Sequence, residues 1–358
     1  MPPTRAHLNG SVNLPDAETV MREVITRIPA GLSRITDGET GDRNNWVFFQ
    51  LDKFLQSPAL EAAPAHDNPS EGYRQMPKVQ LAAGFAPKDV QWPDLGYANA
   101  YRSSLDLFGR LHDEGVIPAG LRFQVEYPTP LASINAWVVP DQQDALLESY
   151  QQALFADLVR FLAAVPHDQV AVQWDVAVEF AVLENSFTAT SSQTFDSIVA
   201  SLVRCIEQVP GDVPAGLHLC YGDAGHQHFK QPESLALQVR VLNEVTAAVS
   251  RPVSFVSFTV PQDQHDAAYF TPLEQLRADH GTELYFALVP YYPENQAAGT
   301  TAEQIAHIDA ALAASPAGAS SWACAPNAAW AAPSRTRLPA CWTCIARSFP
   351  LADAAPAA

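Results

Sequence analysis

Apolar runs and amphipathic segments alternate along most of this chain. Short apolar runs, typical of buried strands, lie at 78–82, 121–126, 170–175, 216–220, 253–259 and 283–289, with weaker ones at 7–12 and 33–36. In the intervening segments apolar residues recur every three or four positions, as amphipathic helices require. These predicted helices cover 17–27, 98–114, 144–164, 192–208, 233–249 and 302–314.

Alternation of strands and helices predicts a parallel sheet with right-handed crossovers. About eight such units in 358 residues favour a (β/α)8 TIM barrel, which typically has ~250 residues plus insertions. A doubly wound open sheet is the alternative, although no G-x-G-x-x-G motif follows a predicted strand. The polar, proline-rich stretch 57–77 is predicted to be an inserted loop near the mouth of the barrel.

Polar residues stand at the ends of several predicted strands. They are Asp37 and Glu39, Glu126, Gln173 and Asp175, and His218 and Cys220. In a barrel the carboxyl ends of the strands meet at one mouth, which is where the chemistry of this fold takes place. We therefore expect these side chains to converge on one site.

His218 and Cys220 are two residues apart at the end of an apolar run. On a strand, such residues point to the same face, so an imidazole and a thiolate are available to one metal ion. Zinc accepts this pair of ligands. The alternative is a core strand with a buried cysteine, which is common. His226 and His228 follow closely and are predicted to lie on a solvated loop.

Two carboxylates are candidates for a binding role. Glu39 lies in the glycine-flanked turn 38–43, which either caps the following helix or directs the carboxylate at a substrate cation. Asp175 ends an apolar run and has no charged neighbour in the local sequence. Because a bare buried carboxylate is costly, Asp175 is predicted to be paired or to face a ligand.

The composition narrows the class of function. The chain is 47% hydrophobic and has a formal net charge of −18, which disfavours binding to nucleic acids or anionic membranes. No signal peptide or membrane-spanning stretch is predicted. The odd number of cysteines, five, favours reduced thiols and a cytoplasmic location. The expected partner is a small molecule, and assembly into a homo-oligomer stays open.

Four motifs, in this order, resemble the C-terminal catalytic barrel of cobalamin-independent methionine synthase. They are His-Leu-Asn-Gly-Ser-Val at 7–12, Asp-Gly-Glu-Thr-Gly-Asp-Arg at 37–43, Gln-Trp-Asp at 173–175 and His-Leu-Cys-Tyr at 218–221. The chain is most similar to uncharacterised single-barrel members, which share Asp-Gly-Glu-Thr-Gly-x-Arg and Gln-Trp-Asp. The wider superfamily also contains uroporphyrinogen decarboxylase.

This resemblance implies a methyltransferase-like enzyme that transfers a methyl or alkyl group to a thiol such as homocysteine, with the help of zinc. Glu39 and Asp175 would bind the substrate ammonium group and orient it for catalysis, and His218 and Cys220 would be zinc ligands. A thiolate held by zinc would attack the alkyl donor.

Three further residues are predicted to bind substrate. Tyr127 and Trp174 are assigned to the pocket wall, with packing in the core as their alternative. Arg43 is the basic residue of the acidic turn. It also supports a second hypothesis, a metal-free lyase or decarboxylase that uses Arg43 and Asp175 on an acidic substrate.

The chain departs from the methionine synthase pattern in three respects. It has room for one barrel, whereas the synthase has two. The half of the synthase that contacts the folate donor is therefore absent, and the identity of the alkyl donor stays open. The strand expected to bring an acidic zinc ligand, 254–261, has no acidic residue before Asp263. No Asp-Cys-Gly or Glu-Cys-Gly segment supplies the last cysteine ligand. A third hypothesis is therefore an inactive barrel with a broken metal site.

The chain changes character near residue 317, so we predict a barrel over 1–316 and an anomalous Ala/Pro/Trp/Cys-rich tail over 317–358. One choice of codons for 322–330, read two bases later, encodes Glu-Cys-Gly, which suggests a frameshift that removes the final strand. In the tail, Cys341 and Cys344 are a weak redox or zinc half-site. Cys324 is the nearby thiol that would have to replace the missing ligand.

Overall fold

The computed structural model describes residues 5–44, 46–64, 77–186, 191–222, 227–290, 295–317 and 322–326. The helices are α1 (Ala17–Arg27), α2 (Gln50–Phe54), α3 (Tyr97–Asp113), α4 (Pro130–Trp137), α5 (Gln143–Leu162), α6 (Val178–Leu183), α7 (Phe195–Glu207), α8 (Ala236–Ala248), α9 (Ala267–Phe270) and α10 (Thr300–Ala314). The strands are β1 (Arg34–Ile35), β2 (Leu60–Ala62), β3 (Val79–Leu81), β4 (Arg122–Pro128), β5 (Val170–Val176), β6 (Ala215–Leu219), β7 (Phe255–Phe258), β8 (Glu283–Val289) and β9 (Trp322–Pro326). Within these residues, none of the helices is long and apolar enough to cross a membrane.

The centre of the molecule is a curled, seven-stranded parallel sheet. Its strand order is β1-β4-β5-β6-β7-β8-β9. Ala6 forms parallel bridges both to Leu32, beside β1, and to Cys324 in β9. The backbone N–H of His7 also donates to the carbonyl oxygen of Cys324 at 2.9 Å. The two edge strands therefore pair with the same short segment near the beginning of the chain.

The predicted helices agree closely with the structure. Of the predicted strands, 78–82 belongs to a different sheet, and 7–12 is not a strand. The amphipathic segment 17–27 is α1, whose first turn is capped by the side chain of Asp16. The apolar run 78–82 does not join the parallel sheet, because β3 pairs antiparallel with β2. Part of the predicted loop 57–77 is therefore strand. The run 7–12 contributes only the pairing next to it, at Ala6.

The last strand of the sheet comes from the part of the chain that we expected to lack one. β9 lies beyond the predicted boundary at residue 316 and pairs in parallel with β8. Its sequence, Trp-Ala-Cys-Ala-Pro, has no β-branched residue, so it carries little strand signal. Residues 327–358 lie outside the described part, so the anomalous tail and the frameshift stay predictions.

Side chains alternate between the inner and outer faces of the curled sheet. β5 is buried along its whole length, but its two faces differ in chemistry. Ala171, Gln173 and Asp175 point inward, whereas Trp174 points outward, where its ring centroid lies 5.8 Å from that of Phe155 in α5. The apolar outer face of β5 packs against the helices, whereas its inner face has the polar side chains of Gln173 and Asp175.

The lower interior, towards the amino ends of the strands, contains two large rings surrounded by small residues. The residues of this cluster are Ala171, Phe255, Tyr285, Ala323 and Ala325. The guanidinium of Arg34 lies 3.9 Å from the centroid of the Phe255 ring. It also forms an ion pair of 2.6 Å with Glu283. The alanines of β9 fit here because the two rings fill the space opposite them.

Gly216 of β6 is predicted to be essential for this packing. A Cβ atom at this position would lie 2.4 Å from the Phe255 ring, whereas Gly211 has no atom within 4 Å of such a Cβ. We expect Gly216→Ala to lower the free energy of unfolding by about 1–3 kcal/mol in urea titrations. Gly211→Ala should change it by less than about 0.5 kcal/mol. Adding Phe255→Leu to Gly216→Ala should recover part of the loss. Equal urea midpoints for the two glycine variants would contradict this packing.

Candidate functional site

Three buried carboxylates meet above this packed layer, at the carboxyl ends of the strands. Glu39 follows β1, and Glu126 and Asp175 lie near the ends of β4 and β5; their exposed fractions are 5%, 1% and 6%. A Cβ atom on Gly10 would lie 3.2 Å from Cγ of Glu126 and 3.3 Å from Oε2 of Glu39. Gly10 also has a φ of +133°. The Gly-Ser motif thus places a residue without a side chain between two carboxylates.

Two glutamine amides support the carboxylates from below. Gln124 donates from Nε2 to Oε1 of Glu126 at 2.9 Å. Gln173 donates from Nε2 to Oδ1 of Asp175, also at 2.9 Å. The same two amide nitrogens donate to backbone oxygens of residues 8–9 at 2.8 and 2.7 Å. The first segment of the chain and the two acidic strands are therefore joined by one hydrogen-bond network.

His7 fixes the orientation of one of these amides. Its Nε2 lies 2.9 Å from Oε1 of Gln173, and because an amide oxygen only accepts, this nitrogen carries the proton. Burial and the nearby charge of Arg34 hold the pKa of His7 well below its usual value. The neutral ring stacks on Tyr285 with 4.5 Å between centroids. His7 thereby keeps the Gln173 amide nitrogen directed at Asp175.

Burial and neighbouring charges raise the pKa of Glu39 and of Glu126. Burial and the charge of Asp175 raise the pKa of Glu39 to about 8, although a hydrogen bond from Ser11 and the charge of Arg43 act in the opposite direction. Burial and the charge of Glu39 raise the pKa of Glu126 well above its ordinary value. Glu39 also has a φ of +50°, a conformation uncommon for a residue with a side chain. The site therefore holds acidic groups in an environment that favours their protonated forms.

Arg43 has a different role from the predicted one. Its guanidinium is buried, pairs with Asp37 and lies 4.5 Å from the centroid of the Tyr101 ring. Ser104 donates a second hydrogen bond to Asp37, at 2.6 Å. Because Asp37 takes up the charge of Arg43, the acidic turn is held in place internally. Of the two other carboxylates of the turn, that of Asp42 is exposed, and that of Glu39 is directed at the site.

His218 lies beside Asp175, and Cys220 interacts with His218. Nδ1 of His218 is 3.2 Å from Oδ1 of Asp175. Cys220 is a half-buried free thiol that accepts a hydrogen bond from the backbone N–H of Gly222 at 3.3 Å. Burial lowers the pKa of His218, but interactions with Cys220 and Asp175 outweigh it and raise the value to about 10. The pair is thus adjacent in space and electrostatically linked to the carboxylates.

The described residues supply only part of a metal site. They contain no group of three or more His, Cys, Asp or Glu side chains that could hold a metal ion. The position in β7 that pairs with His218 is Ser257, and no acidic side chain replaces it in this strand. Cys324 pairs with Phe286, on the outer face of the sheet. Because its side chain is on the face opposite to His218, Cys324 is not placed to be a third ligand; burial also raises its pKa.

The two aromatic residues assigned to the pocket wall do not line the site. Tyr127 and Trp174 follow Glu126 and precede Asp175, so alternation turns them to the outer face. The hydroxyl of Tyr127 donates to Oδ1 of Asp157 in α5 at 3.0 Å. Their alternative, packing in the core, is correct. Of the remaining candidates, His228 lies 3.3 Å from the side chain of Gln231, while His226, Cys341 and Cys344 lie outside the described residues.

Glu126 was expected at the site but without a role, and Gln124 and His7 were missing from the predicted site. A signal for Gln124 was present in the sequence, because a polar residue at every second position interrupts an otherwise apolar strand. Gln124 and Glu126 repeat the spacing of Gln173 and Asp175 in the next strand of the sheet. His7 had no such signal, because its position depends on a pairing between distant parts of the chain.

Comparison with known proteins shows the fold. A solved structure described as a "putative vitamin-B12 independent methionine synthase" from Listeria monocytogenes is similar to this chain, with a TM-score of 0.54 and 10% sequence identity. The similarity covers 94% of this chain and 86% of that one. No known protein family matches the sequence, and no curated protein shows significant similarity to it. The chain therefore has a methionine synthase-like α/β fold.

The raised pKa of Glu39 predicts how stability depends on pH. The carboxyl titrates near 4.5 in the unfolded chain and near 8 in the folded one, so the folded state binds more protons between these values. Stability should therefore fall as the pH rises through this range. We expect Glu39→Gln to stabilise the protein by about 2–4 kcal/mol at about pH 9 and by little at about pH 4, in urea titrations. The exposed Glu148→Gln should have the same pH dependence as the unmodified protein. An unchanged pH profile in Glu39→Gln would contradict the assignment.

Proposed function

We propose that this chain transfers an alkyl group to the thiol of an amino acid, as a single-barrel relative of the methionine synthases. The observation that carries this proposal is the cluster of buried carboxylates beside His218 and Cys220. Like charges buried together need a cation, and amino-acid thiols carry an ammonium group. The methionine synthase-like fold supports the proposal, as does the order of the four sequence motifs.

We further propose that the curled sheet is a closed (β/α)8 barrel. The segment around Ala6 would be the eighth strand, between β1 and β9. The parallel bridges from Ala6 to both edges support this closure, as does the hydrogen bond from His7 to Cys324. In a closed barrel the three carboxylates, His218 and Cys220 would all face one mouth, where barrel enzymes bind their substrates.

In the proposed complex, Glu39 and Asp175 hold the substrate ammonium group through charge-assisted hydrogen bonds. Binding a cation offsets the repulsion that raises the pKa of Glu39. The amide of Gln173, which donates to Asp175, limits the movement of that carboxylate. Such preorganisation holds the thiol in one position relative to the alkyl donor, which is how orientation contributes to rate.

Zinc is the metal that suits the available ligands. His218 and Cys220 would hold it, because zinc prefers nitrogen and sulfur ligands. A bound zinc ion would keep a substrate thiol deprotonated at neutral pH. The described residues provide these two ligands and no third, so further ligands would have to come from the substrate or from other parts of the chain. The substrate-binding role of Glu39 and Asp175 does not depend on the metal.

The other two hypotheses are weaker. A lyase or decarboxylase would need Arg43 for an acidic substrate, but Asp37 takes up the charge of Arg43. The acidic cluster would also repel such a substrate. An inactive barrel with a broken metal site is separated from the proposal by measuring the metal content and the activity of the same preparation.

The zinc proposal predicts the metal content of the purified protein. After expression with added zinc, mass spectrometry of the metals should find about one zinc ion per chain. His218→Ala and Cys220→Ser should lose most of it. The matched variants His280→Ala, an exposed residue, and Cys205→Ala, in the outer layer, should retain zinc.

Activity is measured on the same samples, as transfer of an alkyl group to L-homocysteine. We expect the zinc-loaded protein to be active and the two ligand variants to lose about 100-fold or more in rate. Full activity in protein free of zinc would contradict the role of the metal. Inactivity of zinc-loaded protein with a series of alkyl donors would contradict the proposed reaction.

A further inference from the structure

Each of the three site carboxylates has one oxygen that accepts a hydrogen bond from a described residue and one that does not. The held oxygens are Oε2 of Glu39, Oε1 of Glu126 and Oδ1 of Asp175, which accept from Ser11, from Gln124, and from Gln173 and His218 respectively. No described residue donates a hydrogen bond to the second oxygen of any of the three. The site thus presents three acceptor oxygens without a donor from the described residues.

The free oxygen of Glu126 is the most costly of the three. Glu126 is 1% exposed, and its Oε2 is buried with no partner among the described residues. A buried acceptor without a donor destabilises a protein by about 1–3 kcal/mol, and more if it is charged. Ser257, in the next strand after His218, likewise has a buried hydroxyl without a described partner. A partner for these two atoms would therefore come from a ligand or from a part of the chain outside the described residues.

The nearby positive charges are already paired. Arg43 forms its ion pair with Asp37, and His218 pairs with Asp175. The described residues contain no group of three or more His, Cys, Asp or Glu side chains that could hold a metal ion, so we consider an organic cation as the partner of the carboxylates. A primary ammonium group has three N–H donors and no acceptor. Its three donors therefore match in number the three oxygens that lack a described donor, and its charge is opposite in sign to that of the carboxylates.

We propose that Glu126 is the third ligand of the substrate ammonium group, with Glu39 and Asp175. The site then uses all three N–H bonds of a primary amine and excludes amines in which a methyl group replaces one of them. This inference rests on the proposed function, since it assigns the bound ammonium to the thiol substrate. Glu126 becomes a specificity-determining residue, because an N-methyl group would leave its buried oxygen without a donor.

The test compares binding of three thiols by isothermal titration calorimetry. The probes are L-homocysteine, N-methyl-L-homocysteine and 4-mercaptobutanoate, which lacks the amino group. Glu126→Gln should weaken L-homocysteine binding by about 10- to 100-fold and leave 4-mercaptobutanoate unchanged. The matched variant Glu179→Gln alters another buried glutamate, in α6, which is 1% exposed. It should bind all three probes like the unmodified protein.

The unmodified protein provides a test that needs no variant. It should bind N-methyl-L-homocysteine at least about tenfold more weakly than L-homocysteine, and Glu126→Gln should narrow that difference. Equal binding of L-homocysteine by the unmodified protein and Glu126→Gln would overturn the inference. So would equal binding of the two amines by the unmodified protein. Either result leaves the proposed alkyl transfer standing.

L-Norleucine, an amino acid without a thiol, separates the inference from the proposed function. If the protein binds L-norleucine, loses this binding in Glu126→Gln, and transfers no alkyl group to any thiol, the ammonium site is supported and the proposed reaction fails. If the unmodified protein binds none of the primary amines, the inference is overturned.

Discussion

The candidate site is governed by the burial of like charges. Glu39, Glu126 and Asp175 share one small volume from which water is largely excluded. Arg43, the nearest guanidinium, neutralises a fourth carboxylate, that of Asp37. Removing carboxylates from water is unfavourable, so the fold holds Glu39 and Glu126 with neutral donors and Asp175 with Gln173 and His218. Burial and neighbouring charge raise the pKa of Glu39 and of Glu126, which favours their protonated forms. A positively charged ligand would therefore bind with a favourable electrostatic interaction that the unliganded protein does not have.

The rest of the interior can be understood as the support for this arrangement. Gln124 and Gln173 hold one oxygen each of two carboxylates, and His7 sets the orientation of the second amide. Below them, Phe255 and Tyr285 fill the sheet where alanines leave room. The polar layer therefore rests on a close-packed apolar layer, which keeps its hydrogen bonds in register. Such preorganisation is what a binding site for one defined cation requires.

The sequence predicted the elements more reliably than the pairings. Periodicity located α1 and most strands of the sheet, because each is an apolar pattern within one segment. It failed for β9, whose alanines are explained by distant rings. It located β3 but not its pairing, because the partner strand lies in a segment predicted to be loop. In the site, His218 and Asp175 were predicted to be functional, and they lie together. Tyr127 and Trp174 were assigned to the pocket wall, on the inner face. Each is next in sequence to an inward-facing carboxylate, so each lies on the outer face instead.

If these acids bind an ammonium group, protons should be released when the ligand binds, and this release can be measured directly. Binding of L-methionine, which has no thiol to deprotonate, is measured by calorimetry at about pH 7 in buffers of different ionisation enthalpy. Glu39 has a pKa of about 8 and is therefore mostly protonated there, so an incoming ammonium should displace protons from the cluster. We expect net proton release on binding to the unmodified protein, and a smaller release on binding to Glu39→Gln. Binding of L-methionine without proton release in any buffer would contradict it.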